Sequence, residues 1–155
     1  MVAYDLDRFV EAQEGVYECV LEELRAGRKR SHWMWFIFPQ FDGLGVSAMS
    51  RRYAIRSLEE AREYRSHPVL GARLTECTEA VNDLDGVTAR QVFGTPDDKK
   101  FRSSMTLFEL ASGPDSPFAS ALTKYFSGER DARTIELVRL ASQGSGGASP
   151  DPRPA

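Results

Sequence analysis

Helix start and stop signals recur at short intervals along this chain of 155 residues, and they constrain its fold more than any other feature. Ser57 with Glu60, and Thr88 with Gln91, have the spacing of a helix capping box, and Pro96 stands at a first-turn position. Between such signals, apolar residues recur every three or four positions, as in helices with one buried face. No segment has a clear strand pattern. The sequence therefore predicts an all-α fold of about nine short helices.

The length and composition of the chain indicate a single domain followed by a tail. Hydrophobic residues make up 41% and charged residues 28%, which are values typical of globular proteins. Residues 143–155 are rich in Gly, Ser and Pro and contain no apolar anchor. We predict one compact all-helical domain over residues 1–142 and a disordered tail over residues 143–155.

The overall charge argues against a general polyanion binder. The chain has 20 Lys+Arg and 23 Asp+Glu, so its net charge is -3 and its pI is about 5.5. We therefore do not expect binding to free duplex nucleic acid, and any contact with nucleic acid has to be local. The oligomeric state is left open.

The sequence also predicts a soluble cytoplasmic protein. The longest apolar run, Trp33 to Phe38, is far shorter than the ~20 residues needed to cross a bilayer, so we expect no membrane span. The N-terminus does not resemble a signal peptide. Cys19 and Cys77 have no motif spacing, so we expect both to be buried free thiols in a reducing compartment.

The stretch 28–40 contains three cations, a histidine and both tryptophans of the chain. Its apolar part, Trp33 to Phe38, fits a short buried strand or a helical turn, and the absence of a strand partner favours the turn. Cations beside flat aromatic faces suit a ligand with a phosphate and a base. The alternative is a basic helix end that leads into a core segment. The candidate ligand-binding residues here are Arg30, His32, Trp33, Trp35 and Gln40.

A second polar group surrounds Arg52 and Tyr53. At helical spacing Arg52 and Arg56 share a face, so one arginine can turn inward beside Tyr53. We predict Arg52 and Tyr53 as ligand-binding residues. The alternative is a solvated basic face with one buried tyrosine.

A third polar group lies at a predicted helix start, where free backbone N–H groups favour an anion or a sugar hydroxyl. Lys100, Ser103 and Ser104 come one turn into this helix as candidate ligand contacts. Asp97 and Asp98 are the candidate catalytic residues, as a general base or a ribose contact. Alternatively, the aspartates only stabilise the helix dipole, and the serines allow close helix packing.

Other kinds of site are not indicated. Two histidines do not support a Ser-His-Asp arrangement, and no paired His, Asp or Glu spacing suggests metal ligation. The glycines at 43 and 45 do not match the dinucleotide fingerprint. We predict neither a metal ion nor another cofactor.

Several segments of the chain form a recognisable set. They are Glu23–Arg30, His32–Phe36, Phe38–Gln40, Gly43–Gly45, Tyr53, Ser57–Ala61 and Ser103–Phe108. These segments resemble a small bacterial all-helical family of unknown function, sometimes labelled calpastatin, with a member in the tuberculosis bacillus. The resemblance covers roughly Asp5 to Leu140 and implies an all-helical fold without an established activity.

A more distant resemblance is to the NADAR superfamily of helical proteins. It rests on Tyr53, on the helix start at His67-Pro68 and on the turn from Gly94 to Asp97, with Phe93 where the superfamily has Trp. This resemblance implies action on N-glycosidic bonds of ADP-ribose-linked or riboflavin-pathway nucleoside compounds.

Two functions follow as hypotheses. The first is binding or N-glycosidic hydrolysis of an ADP-ribose-like or phosphorylated nucleoside ligand, a nucleotide-like small molecule, in an aromatic and basic pocket. It requires Trp35, Arg52 and Asp97 to border one cavity. The second is a noncatalytic protein-interaction module, in which the aromatics fill the core and the cations form a partner-facing patch.

Overall fold

The structure is a computed structural model that describes residues 4–146, with side chains to residue 143. Ten α-helices and no strand occur in this described part, which confirms the prediction of an all-α fold. A single parallel bridge pairs Phe41 with Ile55. The helices are α1 (Asp7–Gln13), α2 (Tyr17–Arg25), α3 (Met34–Ile37), α4 (Ala48–Arg52), α5 (Leu58–Ser66), α6 (Leu70–Asn82), α7 (Ala89–Phe93), α8 (Asp97–Ser112), α9 (Pro117–Phe126) and α10 (Ala132–Gly146).

Helix α8 lies at the centre of the domain, where α5, α7, α9 and α10 pack around it. Four of its apolar side chains, Phe101, Met105, Leu107 and Phe108, are fully buried. Apolar burial around so much of the circumference is typical of a core helix, because a surface helix keeps one face polar.

The aromatic segment, which we define as Trp33 to Phe38, contains the short helix α3. This agrees with the favoured helical turn. Trp33 and Phe38 on either side of it are 2% and 1% exposed. The Phe38 ring meets Phe93 and Phe101 edge-on, with centroids 5.9 and 5.0 Å apart. Most of the segment therefore fills the core, and Trp35 is its half-buried exception.

The two predicted capping boxes differ in the structure. Thr88 and Gln91 form both reciprocal hydrogen bonds at the start of α7. Ser57 accepts from the Glu60 N–H at 3.0 Å, but the Glu60 carboxylate accepts instead from the Arg56 N–H at 2.8 Å. The Ser57–Glu60 box is only half formed, because the Glu60 carboxylate binds the Arg56 N–H and the Arg8 guanidinium instead of the Ser57 N–H.

The C-terminal helix extends past the predicted domain boundary. Helix α10 continues to Gly146, four residues into the segment 143–155 for which disorder was predicted. Residues 147–155 lie outside the described part. Across the described residues, no helix combines the length and apolar character needed to cross a membrane.

Candidate functional site

The aromatic segment is anchored to α2 by the carboxylate of Glu23, which is 9% exposed. Glu23 Oε1 accepts hydrogen bonds from the Arg30 N–H at 2.8 Å, the Ser31 N–H at 3.0 Å and the Trp33 indole N–H at 2.9 Å. Its Oε2 accepts from the Ser31 hydroxyl at 2.6 Å. One buried carboxylate thus fixes the loop from Arg30 to Trp33.

These hydrogen bonds keep Glu23 ionised. Burial alone raises the pKa of Glu23, but the Ser31 hydroxyl, the Arg30 N–H and the Trp33 indole outweigh burial and lower this pKa to about 2. The Cys19 thiol also donates to Glu23 Oε2, at 3.3 Å. That bond raises the pKa of Cys19, so the thiol stays protonated.

Cys19 is exposed, so the prediction that both cysteines are buried is wrong for this one. It lies on α2 but does not belong to the buried residues of that helix, which include Val20, Leu21 and Leu24. Cys77 is buried as expected, and desolvation raises the pKa of its thiol to about 12.

A cluster of two lysines around one aspartate joins the first predicted group to the third. Asp97 forms ion pairs with Lys29, at an Nζ–Oδ2 distance of 3.0 Å, and with Lys100, at an Nζ–Oδ1 distance of 3.5 Å. Lys29 Nζ also lies 5.1 Å from the Trp33 ring centroid, and Lys100 Nζ lies 5.6 Å from that of Trp35. We call Lys29, Asp97 and Lys100 the lysine–aspartate cluster.

The other residues predicted at the start of α8 make local contacts. An Asp98 carboxylate oxygen accepts from the Lys99 N–H at 2.9 Å. The Ser103 hydroxyl donates to the Lys99 carbonyl at 3.1 Å. Ser104 is fully buried, and its hydroxyl has no hydrogen-bond partner among the described residues. Both serines therefore lie inside the helix packing and not on a surface that a ligand reaches.

The second predicted group lies elsewhere, in a cleft of about 490 Å³. We call it the arginine cleft; its lining residues are Tyr4, Asp5, Arg8, Arg52, Arg56 and Glu60.

Arg8 holds the walls of the arginine cleft together. Its guanidinium donates to the carbonyls of Arg52 at 2.7 Å and Ala54 at 2.8 Å, and it also donates to the Asp5 carbonyl. It pairs with Glu60 Oε2 at 3.1 Å, and both side chains are nearly buried. Arg8 thereby connects α1, the end of α4 and α5.

Arg52 stays exposed at the cleft. Its Nε donates to the Tyr53 hydroxyl at 3.2 Å, a bond that raises the pKa of Arg52 and keeps it cationic. Tyr53 is 7% exposed and packs its ring against Phe9 and Phe36, with centroids 5.7 and 5.6 Å apart. Tyr53 thus positions Arg52 from the core side.

A smaller cleft of about 290 Å³ adjoins the Glu23 anchor. His32 and Trp33 line it together with Cys19, Phe36 and Val16. Trp35, Asp97 and Arg52 do not line this cleft, and Trp35 and Asp97 do not line the arginine cleft either.

The predicted site residues therefore do not share one region. Trp33, Trp35, Asp97 and Lys100 come together around the lysine–aspartate cluster. Arg52 lines the arginine cleft with Tyr53 behind it, and His32 lines the smaller cleft. The side chain of Arg30 is exposed, and the carbonyl of the half-buried Gln40 accepts from the Ile55 N–H at 2.9 Å. The single cavity expected between Trp35, Arg52 and Asp97 is not formed by either cleft.

Sequence reasoning missed Arg8, Glu23 and Lys29. Arg8 and Glu60 are 52 residues apart, so no local pattern links them. Glu23 is one of several carboxylates on α2 and carries no signal that separates it from the others. Lys29 belongs to the predicted cation run, and its place between two arginines gives no sign that it alone is drawn inward.

Comparison with known proteins gives a family and one solved relative. Residues 3–138 match the family described as protein of unknown function (DUF1810). The crystal structure of the conserved hypothetical protein Rv1873 from Mycobacterium tuberculosis is similar, with 54% identity and a TM-score of 0.86. The similarity covers 88% of this chain and 97% of that one. A search of curated proteins gave no match.

The family model matches most of the chain, and the solved relative from the tuberculosis bacillus shares its fold. Both findings confirm the first resemblance, to a bacterial family of unknown function, while the likeness to the NADAR superfamily stays a prediction. The chain belongs to the DUF1810 family, described as proteins of unknown function.

Proposed function

We propose that this protein binds a small phosphorylated ligand of the nucleoside type, such as ADP-ribose, in the arginine cleft. The observation that carries the proposal is the convergence of Arg8, Arg52 and Arg56 on one concavity of about 490 Å³. A volume of roughly 300–1,000 Å³ is usual for small-molecule sites. The lysine–aspartate cluster has cations too, but neither cleft includes it.

The charges of the cleft favour an anion. Glu60 accepts from Arg8 and from the Arg56 N–H, so its charge is compensated within the wall. Asp5 adds one exposed carboxylate, so the two exposed guanidiniums of Arg52 and Arg56 leave a net positive charge to meet a ligand. Guanidinium groups bind phosphate through two parallel hydrogen bonds, which favours a phosphate over a neutral ligand.

The remaining lining residues suit the rest of such a ligand. Tyr4 offers an aromatic ring at the cleft, on which a base can stack. Asp5 offers an exposed carboxylate, which accepts hydrogen bonds from ribose hydroxyls. Phosphate, base and sugar thus each have a matching side chain.

The proposal concerns binding and does not extend to the predicted N-glycosidic hydrolysis. Hydrolysis needs a carboxylate beside the anomeric carbon to stabilise the positive charge that develops there. Asp97 and Asp98, the predicted catalytic pair, do not line the arginine cleft. Asp97 is moreover held between Lys29 and Lys100.

Isothermal titration with ADP-ribose, NAD and AMP tests the proposal. We expect at least one of these phosphorylated nucleosides to bind the native protein, and adenosine to bind far more weakly. Arg52→Ala and Arg56→Ala should each weaken binding about 10- to 100-fold, since a hydrogen bond to a charged group contributes roughly 1.5–3 kcal/mol.

Arg139→Ala is the matched control, because Arg139 is an exposed arginine on α10, outside the cleft. It should bind like the native protein. No heat with any phosphorylated nucleoside at millimolar concentration, or equal losses in all three variants, would contradict the proposal.

A further inference from the structure

A basic face surrounds the lysine–aspartate cluster, on segments that the proposed function does not use. We define the basic face by six cations: Arg28, Lys29, Arg30, Arg90, Lys99 and Lys100.

Three parts of the chain meet to form this face. Lys29 and Lys100 share the carboxylate of Asp97, which brings the run 28–30 against the start of α8. The Lys29 N–H donates to the Val92 carbonyl at 2.7 Å, which places the same run against α7 and its Arg90. The three segments that carry these cations are thus neighbours in space, although they come from distant parts of the sequence.

The charge of the face is opposite in sign to that of the chain. Its segments contain six cations and two carboxylates, Asp97 and Asp98, in a protein whose net charge is -3. Asp97 is paired with two lysines, and the side chain of one of them, Lys29, is only 8% exposed, so Lys29 supports the face from below. The side chains of Arg28, Arg30, Arg90 and Lys99 are exposed. Such local segregation of positive charge in an acidic protein marks a surface for a polyanion.

Trp35 adds a flat aromatic group to the same face. It is the half-buried member of an otherwise buried segment, and Lys100 Nζ lies 5.6 Å from its ring centroid. Cations that follow a phosphate backbone, together with an aromatic ring on which a base stacks, are the usual elements of single-strand binding surfaces. An acidic protein segment would use the cations but would leave the indole ring without a matching group.

We infer that the basic face binds single-stranded nucleic acid, with phosphates on Arg28, Arg30 and Lys99 and a base on Trp35. Binding is sequence-tolerant, because every base has a face that stacks on an indole. The site is separate from the arginine cleft, so it stands whether or not the proposed function does.

Fluorescence anisotropy with a labelled oligothymidylate of roughly twelve nucleotides, the order of a single-strand site, tests the inference. We expect binding at low salt that weakens as salt rises, with a slope of log K on log salt of about -2 for three phosphate contacts. Arg30→Glu/Lys99→Glu should weaken binding at least tenfold. This double variant should bind ADP-ribose with the same affinity as the native protein.

The matched control is Arg62→Glu/Arg139→Glu, which changes the net charge equally at exposed positions outside the face. It should retain most of the binding. Equal losses in the two double variants would overturn the inference, as would no anisotropy change at low salt. Circular dichroism checks that both variants are folded.

Trp35→Phe separates a nucleic acid from an acidic peptide as the partner. In the native protein a stacked base quenches Trp35, whereas Trp33 is 2% exposed and out of reach. We expect oligothymidylate to quench the native protein and to leave the emission of Trp35→Phe unchanged. Tighter binding of a polyglutamate peptide than of oligothymidylate, or equal quenching in both proteins, would contradict the inference.

Discussion

At the scale of single residues, Glu23 is the side chain that fixes the loop from Arg30 to Trp33. Its carboxylate accepts from Arg30, Ser31 and Trp33, so it connects the end of the cation run to the aromatic segment. A buried carboxylate with this many donors is strongly favoured in its charged form. Its loss leaves several donors unpaired in the interior.

The first prediction concerns Glu23→Gln. A glutamine keeps the shape but turns an N–H₂ group toward donors, so the free energy of unfolding should fall by about 2–3 kcal/mol near neutral pH. The matched control is Glu22→Gln, an exposed neighbour on α2 that should change stability by less than about 0.5 kcal/mol. Urea denaturation followed by tryptophan fluorescence measures both.

The difference in unfolding free energy between the native protein and Glu23→Gln should depend on pH with a definite sign. The pKa of Glu23 is about 2 in the folded protein and 4.5 in its ordinary state, so its contribution is complete above pH 4.5. The contribution is lost as the pH falls from 4.5 toward 2. The gap between the native protein and Glu23→Gln should therefore narrow over that range, and a gap that widens there would refute the role of the charge.

At the scale of helices, Arg8 connects α1, α4 and α5 and shapes the arginine cleft. The Arg8–Glu60 pair is nearly buried, with side chains 14% and 5% exposed. A buried pair need not stabilise more than apolar residues of the same size, but removal of one partner is costly because the other charge stays buried. The pair therefore determines the geometry of the cleft more than it adds net stability.

A double-mutant cycle tests this role of Arg8. Arg8→Met alone should lower the free energy of unfolding by about 3 kcal/mol, because the Glu60 carboxylate stays buried without its cation. The double variant Arg8→Met/Glu60→Leu should recover at least about 1 kcal/mol of that loss.

The exposed pair Arg133–Glu136, with side chains 58% and 52% exposed, provides the comparison cycle. Its coupling energy should be about 0.3–0.5 kcal/mol, as for other solvated helix pairs. Equal coupling energies in the two cycles would show that the Arg8–Glu60 pair behaves like a surface contact.

At the scale of the whole molecule, sequence predicted the fold far better than the site. Caps such as Thr88 with Gln91 act over three residues, so a local pattern is enough to place the helices. The arginine cleft depends on Arg8, whose partners Arg52, Ala54 and Glu60 lie 44 to 52 residues away. No single-sequence pattern contains such pairings. The aromatic segment was also expected to line a pocket, and most of its side chains are buried in the core instead.

Contacts between distant segments also explain why the predicted site residues lie in separate regions. Asp97 and Trp35 are both neighbours of Lys100, which brings the start of α8 to the aromatic segment. Arg52 instead lies at the end of α4, and its carbonyl accepts a hydrogen bond from Arg8 on α1. Two basic regions result where sequence reasoning expected one, and they are proposed to bind different anionic partners.

The central claim, a phosphorylated nucleoside in the arginine cleft, is tested most directly by nuclear magnetic resonance. Arginine Nε–H signals and backbone amides are followed during a titration with ADP-ribose. We predict that the largest shifts occur at Arg52, Arg56 and Asp5, while Arg30 and His32 stay unchanged. Shifts centred on Arg30, His32 and Trp35, with the arginine cleft silent, would contradict the account.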